Sequence, residues 1–123
     1  PQDVALLDAR KGIEMFRKVK VPLLGVVENM GVHICSNCGH AEAIFGTGGG
    51  QQLSQDYGIE VIGSLPLDLS IREHTDKGHP IVVAQPDGAV AAAYLALADK
   101  VLARIADLEL AAESVPSISI SDD

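Results

Sequence analysis

Two apolar segments place the strongest constraint on the fold of this chain of 123 residues. Residues 21–27 form a continuous apolar run without the alternation of apolar and polar side chains that a half-exposed strand shows, and residues 59–65 are predicted to form a second apolar strand. A strand that is covered on both faces has this pattern, and it is typical of parallel sheets enclosed by helices. Pro66 directly after the second run marks its end.

Helices are predicted before, between and after these runs, because apolar residues recur there every three or four positions. Residues 80–83 are predicted to form a short third strand. Alternating helices and strands predict an α/β fold, with a parallel sheet of about three strands flanked by helices and joined by right-handed crossovers. The predicted helices start near Asp3, Gln51, Leu69 and Val90.

The domain organisation follows from where this periodicity stops. Residues 1–111 are predicted to form one domain, which suits a chain that is 47% hydrophobic. Residues 112–123 are rich in Ser, Pro and Asp, which predicts a disordered acidic tail. The chain begins with Pro1 at the entrance to a helix, so we expect further sequence upstream.

The charge of the chain excludes two classes of partner. Its formal net charge is −8, whereas a nucleic-acid footprint needs clustered Lys and Arg. An anionic membrane surface is disfavoured for the same reason. No apolar run approaches the roughly 18–20 residues of a membrane span, and no signal peptide opens the sequence. We therefore expect a cytoplasmic protein without a nucleic-acid or membrane partner.

Cys35 and Cys38 form a CxxC pair, followed by Gly39, which favours a tight turn that brings both thiols to one side. A zinc site needs about four ligands, and the spacing of His33 and His40 is tighter than in zinc fingers. A dithiol redox pair would be expected at a helix N-terminus. An iron–sulfur cluster commonly takes four thiolates, and so two chains. Two unliganded thiols remain a fourth interpretation. His33 and His40 are expected to be polar loop residues, and the alternative is that one of them supports the cysteines without ligating.

Residues 46–50 are rich in glycine, but they are not predicted to hold phosphate. A phosphate-binding P-loop needs a Gly-Lys pair whose Lys reaches the phosphates, and no such pair occurs in the chain. These glycines are expected to let the loop fold tightly before the next helix.

The cysteines lie among further motifs whose combination resembles the Mrp/ApbC family, which are deviant P-loop ATPases related to MinD. The resemblance implies that two copies dimerise and that Cys35 and Cys38 of each contribute thiolates to a bridging [4Fe-4S] cluster, carried to apo iron–sulfur acceptor proteins. It covers residues 1–106, which is nearly all of the chain that is expected to be ordered. The segments that carry it are residues 1–6, 26–31, 35–38, 44–50, 62–68, 71–73 and 76–80.

Asn29 follows the first apolar run, at the strand end where ligands bind in open α/β sheets. Its amide can both donate to and accept from an adenine edge. On the residues alone, a strand-end turn is the favoured interpretation. The resemblance implies that Asn29 contacts the nucleotide base and that Pro66, Leu67 and Asp68 close over it.

The family holds ATP and Mg²⁺ with Walker A and Walker B residues that precede the stretch matched here. This chain alone is therefore predicted neither to hydrolyse ATP nor to bind it tightly. Two other functions remain as alternatives. One is a MinD/ParA-like positioning ATPase, which gives no reason for the CxxC pair, and the other is a zinc-binding interaction module.

Overall fold

The structure is a computed structural model that describes residues 1–113. Helices and strands alternate as the sequence predicts only as far as residue 64, with a short antiparallel hairpin inserted after the first strand, and three helices then follow one another. The elements are α1 (Asp3–Lys18), β1 (Val26–Glu28), β2 (His33–Ile34), β3 (Ala41–Glu42), α2 (Gly49–Tyr57), β4 (Val61–Ser64), α3 (Leu69–Asp76), α4 (Ile81–Ala84) and α5 (Ala89–Glu113).

The two apolar runs supply the parallel pair that the sequence predicts. β1 pairs with β4 in parallel, with Val26 opposite Val61 and Glu28 opposite Ser64. Only the last residues of the first run are strand, because the ladder starts at Val26, whose N–H donates to the carbonyl of Glu60. The structure is therefore α/β, with a small parallel sheet flanked by helices.

The core lies where α1 and α2 meet the strands. Ile13 of α1, Leu53 of α2 and Ile59 before β4 form one buried cluster, with Leu6, Leu23, Val26 and Tyr57 packed against it. The core contains aliphatic side chains, as the aromatic content of 3% requires. Burial of this cluster is the main hydrophobic contribution that holds α1 and α2 to the sheet.

A polar contact fixes α1 against the end of α2. Arg10 forms an ion pair with Asp56 at 2.6 Å, and its guanidinium lies 5.9 Å from the ring centroid of Tyr57. The guanidinium of Arg17 lies 5.3 Å from the same centroid. The hydrogen bonds from Arg10 and then Gln52 lower the pKa of Asp56 below its usual value.

The prediction of a third strand over residues 80–83 is wrong. This segment is the short helix α4, in which the N–H groups of Val83 and Ala84 donate to the carbonyl of Pro80 at 2.9 and 3.0 Å. A short apolar run fits a buried helical turn as well as a strand, and Ile81 is buried here. The parallel sheet accordingly has two strands within residues 1–113.

Two other boundaries differ from the sequence prediction. The segment between β1 and α2 was expected to be a loop, but it contains the hairpin of β2 and β3. α5 extends to Glu113, two residues into the predicted acidic tail. The rest of that predicted tail lies outside the described residues.

Candidate functional site

The candidate site is built on a continuation of the β1–β4 ladder. Beyond β1, the N–H of Gly31 donates to the carbonyl of Leu65 at 3.0 Å. The N–H of Leu65 in turn donates to the carbonyl of Glu28 at 2.8 Å. The chain that leaves β1 therefore stays beside the chain that leaves β4, at the carboxyl edge of the sheet where ligands bind in open α/β folds.

A bulge interrupts this continuation. Glu28 pairs with Ser64, and His33 pairs in parallel with Leu67. Between these two pairings, the chain that follows β1 runs five positions (28 to 33), whereas the chain that follows β4 runs three (64 to 67). The chain after β1 therefore contains two additional residues, which form the bulge. Met30, with a φ of 56°, lies in this bulge beside the exposed Asn29. Asn29 is thus projected from the ladder, beside the start of the hairpin.

The cysteine pair occupies the tip of this hairpin. β2 and β3 pair antiparallel, and beyond them the N–H of Cys35 donates to the carbonyl of His40 at 2.9 Å. The turn closes with the N–H of Gly39 donating to the carbonyl of Cys35 at 2.8 Å. Gly39 has a φ of 72°, a left-handed conformation that glycine adopts at little cost. The prediction of a tight turn at Gly39 is therefore confirmed.

The turn directs backbone donors toward the first thiol. Hydrogen bonds from the N–H groups of Asn37 and then Cys38 lower the pKa of the Cys35 thiol, and the Cys38 side chain and nearby His33 act in the same direction. Burial opposes this shift. Because the thiolate is the form that binds metal, the turn favours the ligating state of Cys35.

Ligand number limits what the turn can hold. Cys35 is half-buried and Cys38 is exposed, and neither is in a disulfide. Within residues 1–113, no group of three or more His, Cys, Asp or Glu side chains is placed to hold a metal ion. The turn thus offers two thiolates to any metal that it binds, fewer than a complete zinc site requires.

Pro66 and Asp68, which the resemblance assigned to the nucleotide site, lie beside this turn. Both line a cavity of about 430 Å³ together with Cys35. Asp68 also caps α3, because its Oδ1 accepts the N–H of Ser70 at 2.8 Å. The structure therefore brings the segment of residues 66–68 and the first cysteine to a single cavity.

Of the other two residues of the predicted nucleotide site, Leu67 lies on the ladder and Asn29 lies in the bulge beside it. Asn29 does not line the cavity beside Cys35. Its Oδ1 accepts the N–H of Met30 at 2.9 Å, which is the strand-end turn that the residues alone suggested. The exposed Asn29 amide nonetheless lies at the carboxyl edge of the sheet, and its contact with a nucleotide stays a prediction.

Two residues of the site have contacts that the sequence did not reveal. His33 was described as a polar loop residue, but it lies in β2 and its Nδ1 is 3.0 Å from the carbonyl oxygen of Leu67. Glu28 accepts the N–H of Gly50, at the start of α2, through Oε2 at 3.0 Å. The Glu28 contact joins the two ends of the segment that carries the cysteines.

A parallel sheet with a two-thiol turn at its carboxyl edge is consistent with a nucleotide-binding α/β protein adapted to carry a metal group. The chain belongs to the family of NUBPL iron-transfer P-loop NTPases of the ParA group, whose model matches residues 1–102. This confirms the resemblance on which the sequence interpretation rested.

Curated relatives have names that agree with this family. The chain is 63% identical over 98 residues to the iron–sulfur cluster carrier protein of Pseudomonas fragi, covering 80% of this chain and 34% of that one. It is 56% identical over 105 residues to the protein of the same name from Escherichia coli K12, and the match covers 85% of this chain and 28% of that one. The iron–sulfur cluster transfer protein NUBPL of Mus musculus is 51% identical to this chain over 105 residues, and the match covers 85% of this chain and 33% of NUBPL.

The chain spans about a third of the length of these relatives. A solved nucleotide-binding protein from Archaeoglobus fulgidus, in complex with ADP and with cobalt found by PIXE, is 34% identical, with a TM-score of 0.53. That likeness covers 65% of this chain and 32% of the solved chain. Within residues 1–113, no helix is both long enough and apolar enough to cross a membrane.

Proposed function

We propose that this chain provides the cluster-binding part of an iron–sulfur cluster carrier. Cys35 and Cys38 of one copy and the same residues of a second copy hold a bridging [4Fe-4S] cluster, which is the cargo rather than a permanent cofactor. The cluster passes from this homodimer to apo iron–sulfur acceptor proteins. The carrier names of the relatives support this proposal.

The turn of residues 35–38 is the observation that carries the proposal. It presents two thiols, one with a lowered pKa, and they belong to no group of three or more potential metal ligands within residues 1–113. A cubane cluster takes about four thiolates, so two such turns satisfy it and one does not. N–H donors to the sulfur also suit a cluster, since hydrogen bonds to cluster sulfurs tune its potential.

Apolar side chains around the turn support a second copy as the partner. Ile34 is 58% exposed and Ile44 is 52% exposed, on either side of the cysteines. Val32 is 41% exposed at the start of the same hairpin. Burial of this apolar surface between two hairpins would stabilise the dimer and would exclude water from the cluster.

ATP binding and hydrolysis form the second part of the proposal. Asn29 contacts the base and residues 66–68 close over it, in a protein whose Walker residues bind the phosphates and Mg²⁺. The ADP bound to the solved relative supports a nucleotide site in this family. We expect the 123-residue chain alone to bind nucleotide weakly and to hydrolyse none, and its cytoplasmic location stays a prediction.

Anaerobic reconstitution with iron and sulfide tests the cluster site. We expect a broad absorption band near ~400 nm, typical of thiolate-ligated clusters, with about four irons per two chains. Sedimentation should show a dimer that forms with the band. Cys35→Ala and Cys38→Ala should each abolish both the band and the dimer.

Ser36→Ala is the matched control, because it changes the same turn without removing a thiol. It should retain the band and the iron content. Stoichiometric zinc with no colour would overturn the proposal in favour of a zinc-binding module. A cluster that survives in Cys35→Ala would overturn the assignment of its ligands.

A further inference from the structure

The hairpin with the two thiols is attached to the rest of the molecule at Leu67. The N–H of Leu67 donates to the carbonyl of Val32 at 2.9 Å. Its carbonyl oxygen lies 3.0 Å from Nδ1 of His33, and because a carbonyl only accepts, Nδ1 carries the proton and donates. Two consecutive residues of the hairpin therefore hold both polar backbone groups of Leu67.

The imidazole of His33 supplies the side-chain part of this attachment. No other side-chain hydrogen bond joins residues 32–42 to the remainder of residues 1–113. His33 precedes Cys35 by two residues in an extended strand, so a displacement of His33 displaces the start of the thiol turn. The side chain of His40, in the same hairpin, is exposed and has no such contact within the described chain.

Leu67 is also the centre of the 66–68 segment that faces the first cysteine. Its neighbours Pro66 and Asp68 line the cavity of about 430 Å³ together with Cys35. Asp68 is fixed from the other side, because it caps α3 through the N–H of Ser70. The position of this segment is therefore set jointly by α3 and by the hairpin.

We propose that His33 is a positioning residue that couples the 66–68 segment to the thiols of Cys35 and Cys38. A ligand that moves this segment, such as a nucleotide base, changes the placement of the thiolates through the hydrogen bond between His33 and Leu67. The coupling deepens the proposed function and rests on it for the identity of the cargo. The hydrogen bond itself belongs to the cluster-free chain and can be tested there.

The first test measures how long a reconstituted cluster survives against an iron chelator. His33→Leu should still load the cluster, because both thiols remain, but should lose it about tenfold faster, as expected when an outer hydrogen bond to a metal site is removed. His33→Asn should restore a lifetime near that of the parent, since Asn Nδ2 can donate where Nδ1 does. His40→Leu is the matched control and should leave the lifetime unchanged.

The second test asks whether the 66–68 segment acts through His33. Asp68→Ala removes the cap on α3 and should shorten the cluster lifetime, whereas Asp68→Asn keeps a capping oxygen and controls for the lost charge. In the His33→Leu background, Asp68→Ala should have no additional effect, which a double-mutant cycle detects. An Asp68→Ala effect that is equal in both backgrounds would overturn the coupling.

A third measurement needs no cluster. In the cluster-free chain, His33→Leu should speed hydrogen exchange at the amide of Leu67 and leave the amide of Gly50, bonded to Glu28, unchanged. Unchanged exchange at Leu67 together with an unchanged cluster lifetime would overturn the role of His33. If Cys35→Ala retained its cluster, the proposed function would fail instead, so the two failures are distinguishable.

Discussion

The β1–β4 ladder and the hairpin that extends from it are held by different forces. The ladder packs on α1 and α2 at Leu53 and on α5 beside Ile62, and these two side chains are 2% and 3% exposed. The hairpin has no buried apolar residue between His33 and Glu42, and its Ile34 is 58% exposed. Hydrophobic burial thus stabilises the first region, whereas backbone hydrogen bonds and the His33 contact position the second.

This difference indicates how the molecule separates stability from chemistry. A segment with few buried contacts opens more easily than the core, and binding sites are commonly drawn from such segments. The hairpin nevertheless keeps a defined position, because its backbone continues the ladder past the bulge at Asn29 and Met30. The rigid sheet therefore sets where the thiols lie, while their exposure leaves them open to a second copy or an acceptor.

The largest effect on stability should come from a cavity in the core. Leu53→Ala removes a side chain that is 2% exposed and should lower the free energy of unfolding by about 2–5 kcal/mol. Ile34→Ala in the hairpin is the matched control and should change it by less than about 0.5 kcal/mol. Urea unfolding followed by circular dichroism measures both, and equal losses would contradict the contrast between the two regions.

A smaller effect is expected from overpacking at Gly25, just before β1. A Cβ there would lie 2.5 Å from Cγ2 of the buried Ile62 and 3.0 Å from the carbonyl oxygen of Glu60. Gly25→Ala should therefore lower the free energy of unfolding by about 1–3 kcal/mol.

Gly12→Ala in α1 controls for the change of residue type, because a Cβ at Gly12 meets no atom within 4 Å. It should raise the free energy of unfolding by about 0.5–1 kcal/mol, since alanine favours a helix interior over glycine. The same urea titration measures both variants. A Gly25→Ala protein as stable as its parent would show that the contact between the two strands is looser than the structure indicates.

The pattern of apolar residues in the sequence predicted those strands and helices whose positions depend on burial in the core. The strands at Val26 and Val61 and the helices around them were predicted, because apolar runs and helical spacing report directly on burial. The third strand was wrong because four apolar residues cannot distinguish a strand from a helical turn when a proline precedes them. The hairpin was missed because its four paired residues are too few, and too exposed, to give an alternating pattern.

The candidate site was predictable in its residues but less so in their arrangement. Cys35 and Cys38 could be named from their spacing, and the tight turn from Gly39. The contact of His33 with Leu67 spans 34 positions and depends on the bulge, which no local pattern encodes. The capping role of Asp68 could have been predicted, since an Asp before an amphipathic segment is a common helix start.

The smallest predicted effect is on the pKa of the Cys35 thiol, and it should leave the packing of the core unaffected. Its pKa lies below the usual 9.0, chiefly because the N–H of Asn37 donates to the sulfur, so its thiolate persists at a lower pH. In a Cys38→Ser background, the rate at which iodoacetamide alkylates Cys35 should therefore increase with pH, and the midpoint of this increase should lie below pH 9.0. Asn37→Pro removes the N–H and should move the midpoint upward, whereas Asn37→Ala keeps the N–H and should not.

The sign of the accompanying stability change follows from the same shift. A group whose pKa is lower in the folded chain stabilises it above the unfolded pKa, and this contribution is lost as the pH falls through the folded pKa. Because Cys35 is only half-buried, this contribution should be small, so the urea midpoint should fall only slightly as the pH is lowered through the folded pKa, and the alkylation midpoint is the more sensitive measurement. If Asn37→Pro and Asn37→Ala gave the same alkylation midpoint, the N–H of residue 37 would not be what stabilises the thiolate.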